Sequence, residues 1–203
     1  MSPVRWAAGA ALAGLLSVCA LAQAAAPTFA EGLDAFDRGE YVVARNVFEP
    51  LARSGDARAQ YRMGLLYAMG LGTPRNYDLG VSWLGKAAAN GNPSAQNDLG
   101  TLYDQGRGIP RDSTRAAKLF RDAAMRGHAA AQLNLARLYE QGRGVDRDLE
   151  QAFAWANCAS ELGELRSQRV IDSILKELKP DRVGDAERLA EDYRKRYVVP
   201  YQR

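Results

Sequence analysis

A repeat of 36 residues constrains the fold of this chain more than any other feature of its sequence. Each unit begins with an Ala-Gln pair, continues with Leu-Tyr and Gly-x-Gly at constant offsets, and closes with a further glycine. The pairs begin at Ala59, Ala95 and Ala131, and the closing glycines are Gly91, Gly127 and Gly163. A period of this length is typical of chains that stack one supersecondary unit on the next.

The first half of each unit has the spacing of an amphipathic helix, which we call helix A. In the first unit, Ala59, Met63, Leu66 and Tyr67 fall on one stripe of a helix. Gly70 is predicted to end this helix, because glycine adopts a positive φ at little steric cost. A second helix, helix B, is predicted to begin after a short polar residue that caps its free amides. These predicted caps are Asn76, Asp112 and Asp148.

Each unit is therefore predicted to be a helix hairpin. A lone hairpin cannot bury the apolar faces of both helices, so the hairpins are predicted to stack on one another. Gly64 and Gly100 lie beside the helix A stripe, where they would let a neighbouring helix approach closely. The large residues predicted to face neighbouring hairpins are Leu102, Tyr103, Leu138 and Tyr139.

The motif Ala-x-x-x-Leu-Gly-x-x-Tyr-x-x-Gly-x-Gly, clearest in residues 95–108, resembles the Sel1-like repeat, a tetratricopeptide-like family. The second half of the unit, which ends Lys-Ala-Ala-x-x-Gly at residues 86–91, resembles it as well. The resemblance covers three repeats over residues 57–164. It implies an all-α fold, namely an α/α superhelical solenoid of stacked helix hairpins, and a scaffold that binds other proteins.

The flanking segments are predicted to complete the solenoid at both ends. Residues 25–56 resemble a degenerate tetratricopeptide-like first repeat, with Ala44, Phe48 and Leu51 in the register of helix B. Residues 165–203 do not repeat, and they are predicted to form C-terminal capping helices and a tail. The last apolar residues, Val198 to Tyr201, are compatible either with packing onto the cap or with a free tail.

Residues 1–24 have the three parts of a secretory signal peptide: a basic start, an apolar run and overlapping Ala-x-Ala sites. They predict export, cleavage after Ala22 or Ala24, a periplasmic or secreted location, and no stable membrane span after processing. Two alternatives remain open at this point, an uncleaved membrane anchor and lipidation at Cys19. Val18 fits the lipidation signal poorly, because a small residue is preferred immediately before the cysteine.

The composition argues against several classes of function. The net charge is +3 with both signs interspersed, so no nucleic-acid surface is predicted. His128 is the only histidine, and removal of the signal peptide leaves Cys158 as the only cysteine, so no standard zinc site or catalytic triad is predicted. Ser173 and Lys176 match Ser-x-x-Lys without the other motifs of that enzyme class. We therefore predict no enzyme activity, no cofactor and no metal.

A protein or peptide partner is predicted to bind the side of helix A opposite its buried stripe. If Ala59, Met63, Leu66 and Tyr67 are buried, helical geometry puts a second set of positions on the inner surface of the stack. This set differs from repeat to repeat, as a surface for a heterogeneous ligand would. The predicted partner-binding residues are Tyr61, Leu65, Ala68, Asn97, Thr101, Asp104, Leu133, Arg137 and Glu140. Tyr61 and Leu133 are expected to be exposed apolar contacts.

Two other functions are weighed against this prediction. The loop arginines Arg75, Arg111 and Arg147, with Arg107 and Arg143 nearby, suggest an edge that binds peptidoglycan or another acidic glycan. A weak β-lactam-interacting enzyme is implied only by the family resemblance. The relatives linked to that activity have a disulfide in every repeat, which this chain lacks.

Overall fold

The computed structural model describes residues 27–202, and this part of the chain is helical throughout with no strand. The α-helices are α1 Phe29–Asp37, α2 Tyr41–Arg53, α3 Ala57–Met69, α4 Tyr77–Ala89, α5 Pro93–Gln105, α6 Ser113–Ala124, α7 Ala129–Gln141, α8 Leu149–Glu161, α9 Ser167–Glu177 and α10 Val183–Tyr197. Short 3₁₀ turns occupy Pro180–Arg182 and Val199–Tyr201. From α1 to α9, each helix packs mainly against its neighbours along the chain, while α10 returns to pack against α8. The predicted solenoid of stacked hairpins is thus confirmed.

Local sequence explains where the helices begin and end. The side-chain oxygens of Asn76, Asp112 and Asp148 accept hydrogen bonds from backbone N–H groups at the starts of α4, α6 and α8, as predicted. Each helix A ends on a glycine in the left-handed region, with φ of 73° at Gly70 and 65° at Gly106. These signals recur in every unit and place the turn between the two helices of each hairpin.

Small residues bring the helices of a hairpin close together. A Cβ added at Gly64 would lie 2.8 Å from the Leu84 side chain, and one added at Gly100 would lie 2.9 Å from the Phe120 ring. The predicted role of these glycines in close packing is therefore confirmed. Tyr103 packs against two buried clusters, one of which contains Leu84, Ala87 and Ala88 of the preceding unit, so it faces a neighbouring hairpin as predicted. Tyr103 is half-buried, however, because one side of its ring lines an open groove.

The C-terminal helices α9 and α10 both pack against α8, the last helix of the repeats. Trp155 of α8 packs against Tyr193 and Tyr197 of α10, with ring centroids 4.7 and 5.1 Å apart. Val198 is fully buried, and the Tyr201 hydroxyl donates a hydrogen bond to the Met125 carbonyl oxygen at 3.2 Å. The last apolar residues therefore pack back onto the solenoid, which decides between the two alternatives that the sequence allows.

The predicted signal peptide, its cleavage site and Cys19 lie outside the described residues. Among residues 27–202, no helix combines the length and the hydropathy that crossing a membrane requires.

Candidate protein-interaction surface

The predicted partner-binding residues lie along one side of α3, α5 and α7, which we call the A face. Hydrogen bonds join neighbouring repeats across this face. Tyr61 of α3 donates to Asp98 of α5 at 3.0 Å, and Asn134 of α7 donates to the Asn97 side chain at 3.0 Å. Burial and the nearby Asp98 carboxylate raise the pKa of Tyr61, which keeps its hydroxyl protonated as a donor.

Three of the predicted residues come together at one small cavity of about 120 Å³. Thr101, Asp104 and Arg137 line it with Asn134 and Arg143. Arg143 forms an ion pair with Asp104 at 3.0 Å and thereby ties the third repeat's loop to the second repeat. Arg137 has no side-chain hydrogen bond or ion pair within residues 27–202. Its guanidinium is therefore the donor on the A face that is least committed to the fold.

The prediction that Leu133 is exposed is wrong. Its exposure is 0%, and it belongs to the same buried cluster as Ile171 and Ile174 of α9. The equivalent Tyr61 shows why, since it packs toward the following repeat and bonds to Asp98. For the last repeat the following element is the cap, and α9 is in contact with α7. The helical spacing of α7 by itself does not predict that α9 packs against it.

Other predicted positions also differ from a simple exposed surface. Tyr61 is half-buried rather than exposed, because it packs beside the core of the next unit. Ala68 packs inside its own hairpin, where a Cβ added at Gly80 would lie 2.9 Å from it. Leu65 and Glu140 are half-buried. Asn97, Thr101, Asp104 and Arg137 are half-buried too, and they form the central polar part of the A face because the last three line one cavity and Thr101 donates to the Asn97 carbonyl oxygen.

The loop arginines are partly engaged in holding the fold. Arg75 and Arg147 donate to the carbonyl oxygens of Ala68 and Glu140 at 3.1 and 2.9 Å, and Arg147 also forms an ion pair with Glu177. Arg107 and Arg111 donate no side-chain hydrogen bond to any described residue. Arg107 and Arg111 of the loop between α5 and α6 are therefore the loop arginines whose side chains are not engaged in the described fold, and glycan binding stays a prediction.

His128 and Cys158 both have structural roles. His128 Nδ1 accepts a hydrogen bond from the Ala131 amide at 3.2 Å and caps α7. Cys158 is 1% exposed, and burial raises the pKa of its thiol to about 12, so it remains an unreactive thiol in the core. Among residues 27–202, no group of three or more His, Cys, Asp or Glu side chains is arranged to hold a metal ion.

A second surface was not predicted from the sequence. A groove of about 740 Å³ lies between α4 and α6, with Gln96, Leu99 and Tyr103 of α5 at its floor. We call it the α4/α6 groove. The one sequence signal for it is Gly85, which stands where the later repeats have Arg121 and Asn157 and therefore leaves one wall without a side chain.

Comparison with known proteins places this geometry in a family. The model of the Sel1 repeat matches residues 57–92, 93–128 and 129–164, which is more than half of the chain. No curated protein sequence matches. Sel1 repeat proteins typically are scaffolds for protein–protein interaction, and solenoids of this type are generally non-catalytic.

Solved structures agree with that match. One is a protective antigen from uropathogenic Escherichia coli strains with an SLR fold, which is 35% identical over 78% of this chain with a TM-score of 0.71. Another is a Sel1 repeat protein from Oxalobacter formigenes, which is 30% identical over 71% of this chain with a TM-score of 0.67. The match spans 34% of the first protein and 59% of the second. The chain belongs to the Sel1 repeat family.

Proposed function

We propose that this protein is an exported, non-catalytic scaffold of the bacterial cell envelope that binds a protein partner across the A face. The membership of the Sel1 repeat family supports a role in protein interaction. The tripartite N-terminal sequence supports export to the periplasm or beyond. The change of side chain from repeat to repeat along α3, α5 and α7 supports a surface made for one particular ligand.

The position of Arg137 is the observation that carries the proposal. Its guanidinium lines a polar cavity on the A face and forms no hydrogen bond or ion pair with any described residue. Asp104, in contrast, is already paired with Arg143. Arg137 presents donors in a planar arrangement suited to a carboxylate or to backbone carbonyl oxygens of a partner. A partner that supplies such acceptors would satisfy Arg137 without disturbing the fold.

The test is crosslinking in intact cells of a bacterium that carries this gene, followed by identification of the captured envelope proteins. Parent protein is compared with Arg137→Glu, which reverses the charge at the centre of the A face. Arg111→Glu is the matched control, because Arg111 is exposed in a loop and has no side-chain bond to a described residue. Mass spectrometry of the purified protein identifies its mature N-terminus in the same experiment.

Arg137→Glu is expected to lose the partner while Arg111→Glu retains it, with both variants folded by circular dichroism. The N-terminus is expected after Ala22 or Ala24. Unchanged capture by Arg137→Glu would contradict the A face as the binding surface. Binding to purified cell-wall sacculi is measured separately for the same three proteins. If the parent and Arg137→Glu bind the sacculi and Arg111→Glu does not, the glycan function is favoured instead. A retained Met1, or a diacylglyceryl group on Cys19, would contradict release from the membrane.

A further inference from the structure

The α4/α6 groove has a counterpart one repeat further along the chain, between α6 and α8. The residues equivalent to its floor are Gln132, Leu135 and Tyr139 of α7. In this second groove, which we call the α6/α8 groove, the end of α10 and the turn after it occupy the space. Tyr197 stacks on Trp155 of α8, and a Cβ added at Gly127 would lie 2.4 Å from the Tyr201 ring.

The floor glutamines reveal what a filled groove supplies. Gln132 donates through Nε2 to the carbonyl oxygen of Ala124 at 3.1 Å and to that of Tyr197 at 3.2 Å. The first acceptor belongs to the groove wall. The second belongs to the last turn of α10, where helix carbonyls have no partner within their own helix. The occupant of the α6/α8 groove is therefore recognised through the C-terminal end of a helix.

Gln96 occupies the equivalent position in the α4/α6 groove, but it forms only one of these two hydrogen bonds. Its Nε2 donates to the Ala88 carbonyl oxygen at 3.1 Å, the equivalent of the bond to Ala124, and to no other described residue. The Gln96 side chain is only 5% exposed. The Oε1 atoms of Gln96 and Gln132 both have no hydrogen-bond partner in the described part of the chain, so the two glutamines differ only in the second bond of Nε2. A buried amide N–H that lacks an acceptor is unfavourable unless a ligand supplies one.

The rim of the α4/α6 groove adds a charge preference. Lys118 and Arg126 line the groove, and neither forms an ion pair with a carboxylate of residues 27–202. Arg115 also lines it but is paired with Asp112 at 3.2 Å. Asp122 is the one acidic group of the lining, so the rim is basic overall. The C-terminal end of a helix carries a negative partial charge, and acidic side chains beside it would complement Lys118 and Arg126.

We propose that the α4/α6 groove binds a second protein through the C-terminal turn of an acidic helix followed by an aromatic residue. A carbonyl of that last turn accepts from Gln96, as the Tyr197 carbonyl accepts from Gln132. The apolar side chains pack on Leu99, Leu119 and Tyr103. The α4/α6 groove is separate from the A face, because Gln96, Leu99 and Tyr103 lie on a different side of α5 from Asn97, Thr101 and Asp104.

The probe is a fluorescent synthetic peptide that copies residues 185–202 with Arg194→Glu, Lys195→Glu and Arg196→Glu. It keeps Tyr197, Val198 and Tyr201, which fill the α6/α8 groove, and its helix end becomes acidic. Fluorescence anisotropy measures its binding to the intact protein. Saturable binding is expected, together with a chemical-shift change of the Gln96 side-chain amide in ¹⁵N NMR spectra. The same peptide with its three basic residues unchanged is expected to bind more weakly.

Gly85→Leu is the decisive variant, because it fills the groove without disturbing the fold. A Cβ at Gly85 meets no atom within 4 Å, and leucine is a better helix former than glycine. Gly184→Leu in α10 is the matched control, since its Cβ has only the end of the Arg188 side chain nearby at 3.8 Å. Gly85→Leu is expected to weaken peptide binding by at least about tenfold, and Gly184→Leu to leave it within about twofold.

Three results would overturn the proposal. The first is an absence of saturable binding to the parent protein. The second is equal affinity for the parent and Gly85→Leu, which would mean that the peptide displaces the protein's own C-terminal segment from the α6/α8 groove. The third is a parent protein that self-associates in sedimentation while Gly85→Leu is monomeric. In that case the occupant would be the C-terminal segment of a second copy.

Discussion

At the scale of the residue, the His128 side chain caps a helix, and its protonation state decides whether it can do so. Its Nδ1 accepts from the Ala131 amide at the start of α7, while the equivalent Asn92 caps α5 through its side-chain oxygen at 2.9 Å. Only a neutral imidazole has a free acceptor nitrogen for this bond. Burial lowers the pKa of His128, and the nearby Asp98 carboxylate only partly opposes that shift. Protonation of His128 therefore works against the folded state.

We predict that His128→Asn makes folding stability less sensitive to acid. The pKa of His128 in the folded protein lies below its unfolded value of about 6.5, so the unfolded chain binds more protons below that pH. The contribution of neutral His128 is fully present above about pH 6.5 and is lost as the pH falls through its folded-state pKa. Asparagine keeps a cap without titrating, as Asn92 does.

Urea unfolding at about pH 7.5 and about pH 5 measures this difference. Between about pH 7.5 and about pH 5, the free energy of unfolding of the parent is expected to fall by about 1 kcal/mol more than that of His128→Asn, which is the usual value of a helix cap. Comparison of the two proteins cancels the contribution of the carboxylates, because these titrate in both. Parallel pH dependence of the parent and the variant would contradict the prediction.

At the scale of the element, the two glycines of each Gly-x-Gly turn have different roles. The first ends helix A in the left-handed conformation, as Gly142 does at φ 65°. The second also has a positive φ, and it packs against the start of helix B in the preceding unit. The residue nearest to a Cβ added at this second glycine would be Tyr41 for Gly72, Tyr77 for Gly108 and Ser113 for Gly144. The turn therefore joins two hairpins in addition to reversing the chain.

We predict that Gly144→Ala destabilises the protein more than Gly142→Ala. Both substitutions place a Cβ in the left-handed region, at a cost of about 1–2 kcal/mol. At Gly142 the nearest atom to the new Cβ is the Arg147 Cβ at 3.2 Å, whereas at Gly144 it is the Ser113 carbonyl oxygen at 2.1 Å. Because backbone of α6 must move, Gly144→Ala is expected to cost a further ~1–3 kcal/mol. Equal urea midpoints for the two variants would refute the inter-hairpin contact.

At the scale of the whole molecule, stability depends on the contacts between repeats. The buried residues form three clusters along the stack, and one of them spans helix B of the second unit, the third unit and the C-terminal cap. Tyr103 packs against two of the clusters. In a solenoid each unit is stabilised mainly by its neighbours, so a residue between clusters couples the unfolding of the units on either side.

We predict that residues 27–202 unfold in one transition and that Tyr103→Ala lowers its midpoint. A fully buried aromatic costs ~3 kcal/mol or more on truncation, and the half-buried Tyr103 is expected to cost about 2 kcal/mol. Tyr103→Phe is the control, because it keeps the ring and removes only the 3.4 Å contact of the hydroxyl with Arg115. Circular dichroism during urea unfolding measures both variants. Two separate transitions in the parent would contradict a single cooperative stack.

Most of the fold was predictable, because its determinants are local and repeat. Cap residues such as Asn76 and helix-ending glycines such as Gly70 act within one turn of the chain, and their recurrence identifies the hairpin as the unit. The candidate site was less predictable. Helical geometry places Asn97, Thr101 and Arg137 on one side of the stack, but it takes no account of what packs against that side.

The sequence by itself determined that this chain is a stack of helix hairpins, since period, capping and turn chemistry all act over short distances. Tertiary structure decided which surfaces remain open. Leu133 is buried because α9 continues the stack beyond the last repeat. Gln132 is bonded to Tyr197, 65 residues further along the chain, while the equivalent Gln96 faces an open groove. Two identical residues at equivalent positions differ because long-range packing, which no local pattern encodes, supplies a second hydrogen-bond acceptor to only one of them.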